Sequence, residues 1–494
     1  MSSWRVSVCR PCCLGALLML LGACTLGPDF VRPKALDATR YTSDPTPEAT
    51  VVADAQAQRF TPGAGLDAKW WRLFKSAELD AVVQEALAHN PTLQASEASL
   101  RQSQDRLRAG YGVFFPQVGA EFDGARERIA PLEQGLATPP SVFNVITLGG
   151  TIGYALDLFG GSRRTVEGLR AQVDYQVYAG RAAYLTLSAN VVNTSIARAA
   201  YIALEQETLQ LIALQQQQLK SVEVTVRAGT APYSDLLSLR SLIAANQATL
   251  APLKQKISQT GDLLASLEGV VPSKAILPDM PLSALSLPID LPVSLPSELA
   301  HQRPDILSSE AQLHAASASI GVASAALFPS VSLGATYGGA GSSFGSLPAA
   351  DGRFWSVGPS VSIPVFQGGT LWYGRKAAID AFQAAEATYR QTVLDGFAQV
   401  ADSLKALEHD AQALEAEVDA RRAAAETLEI TQVNYRAGLV AYLDVWVADV
   451  QFHQASIGYI QAVAQRYQDT VALFVALGGG WWNEPAPVSL GAAP

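Results

Sequence analysis

One phrase is written twice in this chain, and its spacing constrains the fold more than any single residue does. Arg436-Ala437-Gly438 is followed by Tyr442 and Asp444, and roughly two hundred residues earlier Arg227-Ala228-Gly229 is followed by Tyr233 and Asp235, a distance that suggests a duplicated domain-sized unit rather than a solenoid. The flanks repeat in the same order. Asn90-Pro91-Thr92-Leu93 answers Arg303-Pro304-Asp305-Ile306, Phe115-Pro116-Gln117-Val118 answers Phe328-Pro329-Ser330-Val331, and Leu158-Phe159-Gly160-Gly161 answers Phe366-Gln367-Gly368-Gly369.

Each copy holds a period-two segment. From Phe143 to Leu158 the even positions are largely apolar and the odd ones mostly small and polar, and Gln117 to Arg128 repeats the pattern more weakly. In the second copy, Ser330 to Gly338 alternates Val331, Leu333, Ala335 and Tyr337 with Ser332, Gly334 and Thr336; Arg353 to Phe366 sets Trp355, Val357, Val361, Ile363 and Val365 against Ser356, Gly358, Ser360 and Ser362. This reads as one strand pair per repeat. A half-buried sheet in a soluble domain would alternate too, but no remaining segment is suited to cover the apolar face. A greasy surface toward lipid and a small polar one toward a wet lumen is the pattern of a transmembrane β-barrel. Four strands cannot close one, because about eight are needed and open edges do not survive in lipid. The strands must then be shared between copies, and a symmetric trimer would supply about twelve.

After each Gly-Gly turn a long helical run opens, about Ser162 to Arg227 and Thr370 to Arg436, each free of proline and long enough to span ~95 Å. Return helices at about Tyr233 to Leu267 and Tyr442 to Leu477 make each repeat a hairpin tipped by the Arg-Ala-Gly stretch. Apolar residues recur at heptad spacing (Ile212, Leu219, Val226, beside Leu204 and Leu211) but are diluted by Ala, Gln and Thr. That suits helices packed on both flanks in the wall of a hollow cylinder. An antiparallel coiled-coil spacer would share this helical pattern and lack the strands.

The predicted organisation is a signal peptide at 1–23, an N-terminal strap at 24–65, repeat 1 at 66–267, a Pro-rich linker at 268–297, repeat 2 at 298–477 and a tail at 478–494. Arg5 and Arg10 precede the apolar run Leu14 to Leu21, too short to span a bilayer, and Leu21-Gly22-Ala23-Cys24 closes the segment. An ordinary signal peptide with a chance cysteine is the plainer alternative to a lipid-attachment site at Cys24. The net charge of -10 and the lack of a Lys/Arg block argue against a nucleic-acid partner.

No catalytic or metal site is expected. His89, His301, His314, His409 and His453 are scattered without ligand spacing. Gly341-Ser342-Ser343-Phe344-Gly345 fits the nucleophile-elbow pattern but lies between two strands, where no helix follows. Asn193-Thr194-Ser195 is a sequon by pattern only, placed mid-helix. At the tips, Asp235 and Asp444 stand where a helix N-terminus favours a negative charge. They either cap the return helix or, repeated around a symmetry axis, form a carboxylate constriction.

The Leu21 to Cys24 segment, the doubled plan, Tyr435-Arg436-Ala437-Gly438 with Tyr442-Leu443-Asp444, and the closing Leu477-Gly478-Gly479-Gly480-Trp481 together resemble the TolC-type outer-membrane factors, in their OprM- and NodT-like lipoprotein efflux branch. The resemblance covers nearly the whole mature chain. It implies a mixed α and β fold in which a homotrimer forms one transmembrane β-barrel, four strands per subunit, continuous with a long periplasmic α-helical barrel. It also implies a diacylglycerol and an N-acyl chain on Cys24, and residence in the outer membrane with extension into the periplasm. No other cofactor is implied. The partners would be a periplasmic membrane-fusion adaptor, docked at Arg227, Gly229, Arg436 and Gly438, and an inner-membrane pump, usually of the resistance-nodulation-division class. The duct would pass small toxic compounds and drugs, and opening in that family is an iris-like loosening of hairpins. The gate leucine matches Leu443. The family's carboxylate four residues on is Val447 here, so the gate is either a different charged ring, with Asp444, Asp449 and Asp235 as the candidate carboxylates, or a mainly apolar one. The same architecture would serve type I protein secretion, and a non-pore periplasmic scaffold lipoprotein is the alternative of a different class.

Overall fold

The computed structural model describes residues 25–34, 38–129, 139–347 and 349–483. Cys24 and the signal segment lie outside them. In chain order the elements are β1 (Arg59–Pro62), α1 (Ala77–His89), α2 (Pro91–Gly110), β2 (Gln117–Ile129), β3 (Ser141–Leu156), α3 (Gly161–Arg227), α4 (Tyr233–Leu267), β4 (Asp290–Val293), α5 (Pro296–Gln302), α6 (Pro304–Ala325), β5 (Ser330–Gly341), β6 (Arg353–Ser362), α7 (Thr370–Arg436) and α8 (Tyr442–Ala476). The long helices α3 and α7 have 67 residues each and the return helices α4 and α8 have 35 each. The helix α4 continues through Pro252. The chain divides into two compact units, one of 1–33, 100–176 and 309–389, the other of 34–99, 177–308 and 390–494.

The first unit is built on an antiparallel sheet in the order β2-β3-β5-β6. Its register carries the period-two pattern across all four strands. Val118 lies opposite Ile152, Ile152 opposite Ala335, and Ala335 opposite Val357; the next row runs Ala120, Gly150, Tyr337, Trp355. Opposed residues share a face, so these rows make an apolar surface. The alternate row, Gly119, Thr151, Thr336 and Ser356, makes a small polar one. The apolar rows are bare: Val118 is 78% exposed, Trp355 73% and Val357 72%. Within the chain the outer edges of β2 and β6 have no strand partner among the described residues.

The same unit pins the first described residues. Leu26 N–H donates to Phe159 O at 3.1 Å, and buried Arg164 reaches Leu26 O, Gly27 O, Asp29 and Glu167. Phe30 stacks on His314 at 4.3 Å, and Arg32 pairs with Glu310 at 2.6 Å. Gly27, at φ +92°, lies so close to the backbone of Gly321 that a Cβ would collide with it.

The second unit holds the main core, in which Trp70, Trp71, Phe74, Leu79, Ile196, Leu291, Leu299 and Phe474 are sealed from solvent. The strap and the Pro-rich linker meet here in a parallel ladder of β1 on β4. The two X-Pro steps that the sequence equates do equivalent work. Asn90 N-caps α2, accepting from Thr92 and Leu93 N–H, and its amide donates to Leu267 O at the end of α4. Arg303, just before α6, donates to Ala476 O at the end of α8, at 2.8 Å, and is oriented by Asp305 and Gln399. Each therefore satisfies a C-terminal carbonyl that a helix leaves unpaired.

Candidate functional site at the hairpin tips

Both long helices end in the same turn. Gly229 (φ +75°) and Gly438 (φ +74°) adopt the left-handed conformation that closes a helix C-terminus with glycine. Gly229 N–H donates to Val226 O and Thr230 N–H to Thr225 O; Gly438 N–H donates to Tyr435 O and Leu439 N–H to Asn434 O. Arg227 and Arg436, the candidate docking residues with those glycines, are exposed. Arg227 Nε returns to Glu223 O at 3.2 Å.

Beyond the glycine the tips diverge. Asp444 accepts from Ala441 N–H at 2.9 Å and so caps α8. The equivalent of Ala441 is Pro232, which has no N–H to give, and Asp235 accepts instead from the neighbouring Ser234 hydroxyl at 3.3 Å. Tyr442 packs edge-on against Tyr435 at 5.6 Å, and its hydroxyl donates to Gln218 Oε1 of α3 at 2.6 Å. Burial raises the Tyr442 phenol above its ordinary range, with Asp449 and Tyr435 adding to the effect. Its counterpart Tyr233 is 59% exposed. Leu443 and Asp444 stand together at the exposed start of α8.

Asp449 stands apart from that pair. It is 3% exposed, and Gln215, at 0%, donates to its Oδ2 at 3.3 Å and accepts from Asn246 of α4 at 3.0 Å. Burial pushes the Asp449 carboxyl up, and the Gln215 amide opposes the shift. Thus the structure brings Leu443 with Asp444 and gives Asp449 a partner on another helix; Asp235 lies at the other tip. Gln215, Gln218 and Asn246 were not singled out by sequence. For the two glutamines the signal is the run Gln215 to Gln218, which by sequence alone only dilutes an apolar stripe; Asn246 carries none.

Elsewhere, Ser343 Oγ faces the Ser346 hydroxyl at 3.4 Å in a short loop between β5 and β6. Among the described residues no group of three or more His, Cys, Asp or Glu side chains could hold a metal ion. No described helix is long and apolar enough to cross a membrane.

The model of the outer membrane efflux protein family matches residues 82–270 and 295–479. The chain belongs to that family. The efflux protein is 28% identical over 487 residues to the toluene efflux pump outer membrane protein TtgC of Pseudomonas putida, covering 95% of this chain and 96% of that one. It is 29% identical to the outer membrane protein OprJ of Pseudomonas aeruginosa, over 94% of this chain and 95% of OprJ. Among solved structures it superposes on the outer-membrane channel OprN with a TM-score of 0.84 at 26% identity, covering 93% of this chain and all of that one. The open state of the Neisseria gonorrhoeae MtrE outer membrane channel gives 0.78 at 25% identity, covering 92% and 98%.

Proposed function

We propose that the protein is the passive outer-membrane exit duct of a tripartite efflux pump for small toxic compounds and drugs, as the toluene and antibiotic pumps among its relatives suggest. The observation that carries this reading is the sheet: four strands with a bare apolar face, a small polar face and two edges without a strand partner among the described residues. Such a sheet is stable in lipid only when its edges are closed. Three copies would close a barrel of about twelve strands and set their helical hairpins around a periplasmic conduit. Lipid on Cys24 would anchor the chain, and the bond of Leu26 N–H to Phe159 O, in the turn between β3 and α3, supports an anchor close to the sheet. The tips, with Arg227, Gly229, Arg436 and Gly438, would meet a periplasmic adaptor, and a resistance-nodulation-division pump would supply the energy. Leu443 and Asp444 would form the constriction, with Asp235 at its outer side; Asp449 would act from within the wall.

The test is conductance. Purified protein in planar bilayers should open discrete channels, and Leu443→Ala with Asp444→Ala should raise the open probability. Silence of the wild type would contradict the duct, and unchanged behaviour of the double variant would place the gate elsewhere.

A further inference from the structure

The contact between α8 and α3 is polar where a helix pair ordinarily buries leucine. Tyr442, Trp446, Asp449, His453 and Ser456 follow one another at spacings of four and three, the seam positions of a helix packed lengthwise on another. Their partners on α3 run the opposite way: Tyr442 bonds Gln218, Asp449 bonds Gln215, and His453 feels the charge of Glu207. Trp446 Nε1, His453 Nδ1 and Ser456 Oγ are buried, and none has a hydrogen-bond partner among the described residues. Unmade bonds of this kind cost stability that an apolar seam would keep. In return, a polar seam parts easily, because water satisfies every one of these groups once the helices separate.

Two of the groups titrate, and burial acts on them in opposite directions. It raises the Asp449 carboxyl and lowers the His453 imidazole, with Glu207 of α3 opposing the second shift. The other titratable neighbour is Tyr442, which senses Asp449. Both shifts have one meaning: the packed seam disfavours charge at either position.

We propose that the α3–α8 seam is a proton-responsive latch, closed while Asp449 and His453 are both neutral and loosened when either must carry its charge in place. The latch rests on the duct reading above and adds to it a regulation by pH at residues away from the exposed Leu443 and Asp444. The signs follow from linkage. With Asp449 alone, the closed form binds the proton more tightly than the open one, so acidification towards the ordinary carboxyl range near 4 favours closing. With His453 alone, the closed form binds it less tightly, so acidification through about 6.5 favours opening. In the native protein the two effects have opposite signs.

The experiment is single-channel recording of the full-length wild type, D449N and H453Q in planar bilayers from pH 7.5 to 4.5, with assembly checked by sedimentation. D449N should leak more as the pH falls and H453Q less, each by up to about tenfold per pH unit per titrating subunit, with the wild type between them. Q215L removes the amide that donates to Asp449, so it should raise leakage at neutral pH and increase the total closing produced by acid. Assembled, conducting variants that keep the wild-type slope would overturn the latch and leave the duct standing. Silence of every protein, wild type included, would overturn the duct and the latch with it.

Discussion

The two hairpin tips share a phrase and differ in how firmly they are held. At the first, Pro232 presets the turn but offers no N–H, Asp235 bonds only its neighbour Ser234, and Tyr233 points to solvent. At the second, Ala441 supplies the N–H that Asp444 caps, Tyr435 braces Tyr442, and the Tyr442 hydroxyl crosses to Gln218 on the other hairpin. Identical turn chemistry therefore yields one tip that presents its side chains and one that is tied down. Two differences bear on this directly: Pro232 stands where Ala441 supplies its N–H, and Val226 stands where Tyr435 braces Tyr442. The two tips thus differ in what holds the side chains just past the turn, not in the turn itself.

The largest expected effect comes from the tyrosines. Tyr442→Phe leaves Gln218 Oε1 without its donor at 2.6 Å, and the loss of about 1.4 kcal/mol should raise the open probability about tenfold. Tyr233→Phe should change nothing in the same recordings. Equal effects of the two would break the comparison.

A smaller effect is expected at the caps. Asp444→Ala should loosen the first turn of α8 by about 1 kcal/mol, read as faster amide exchange there, while Asp235→Ala should leave α4 within a few tenths. The smallest effect sharpens the contrast: Pro232→Ala restores the missing N–H. Asp235 should then cap α4, so that Asp235→Ala becomes costly only in the Pro232→Ala background. An additive double variant would show that proline is not what separates the tips.

Much of this architecture is legible in the sequence because two periods write it. The helix bounds at Arg227, Tyr233, Leu267, Thr370, Arg436 and Tyr442 coincide with the expected ones, since glycine turns and prolines punctuate them. The strand pairs stand where alternation places them, although β6 stops at Ser362, before Ile363-Pro364, where proline removes a ladder donor. The β1–β4 ladder escaped because four residues are too few to display a period and its halves lie more than two hundred residues apart in sequence. The Tyr442 to Gln218 bond escaped for another reason. A glutamine on a helix looks like surface until a second helix lies against it, and only the antiparallel packing of α8 on α3 sets these positions together. The sequence marks Asp449 only as an acidic residue near the tip, whereas its burial follows from lying seven residues after Tyr442, on the same seam.

Sharing of the sheet between copies is tested most directly by oxidative cross-linking of cysteines placed along the β2 edge, Gln117 to Ile129, against a cysteine at Ser360 in β6. In one chain these edges are separated by three strand spacings, about 14 Å, far beyond the ~7 Å limit for a disulfide. The ring predicts covalent dimers and trimers, ending at the trimer, at one register of the scan. A protein that assembles normally and stays monomeric on the gel at every position would contradict it.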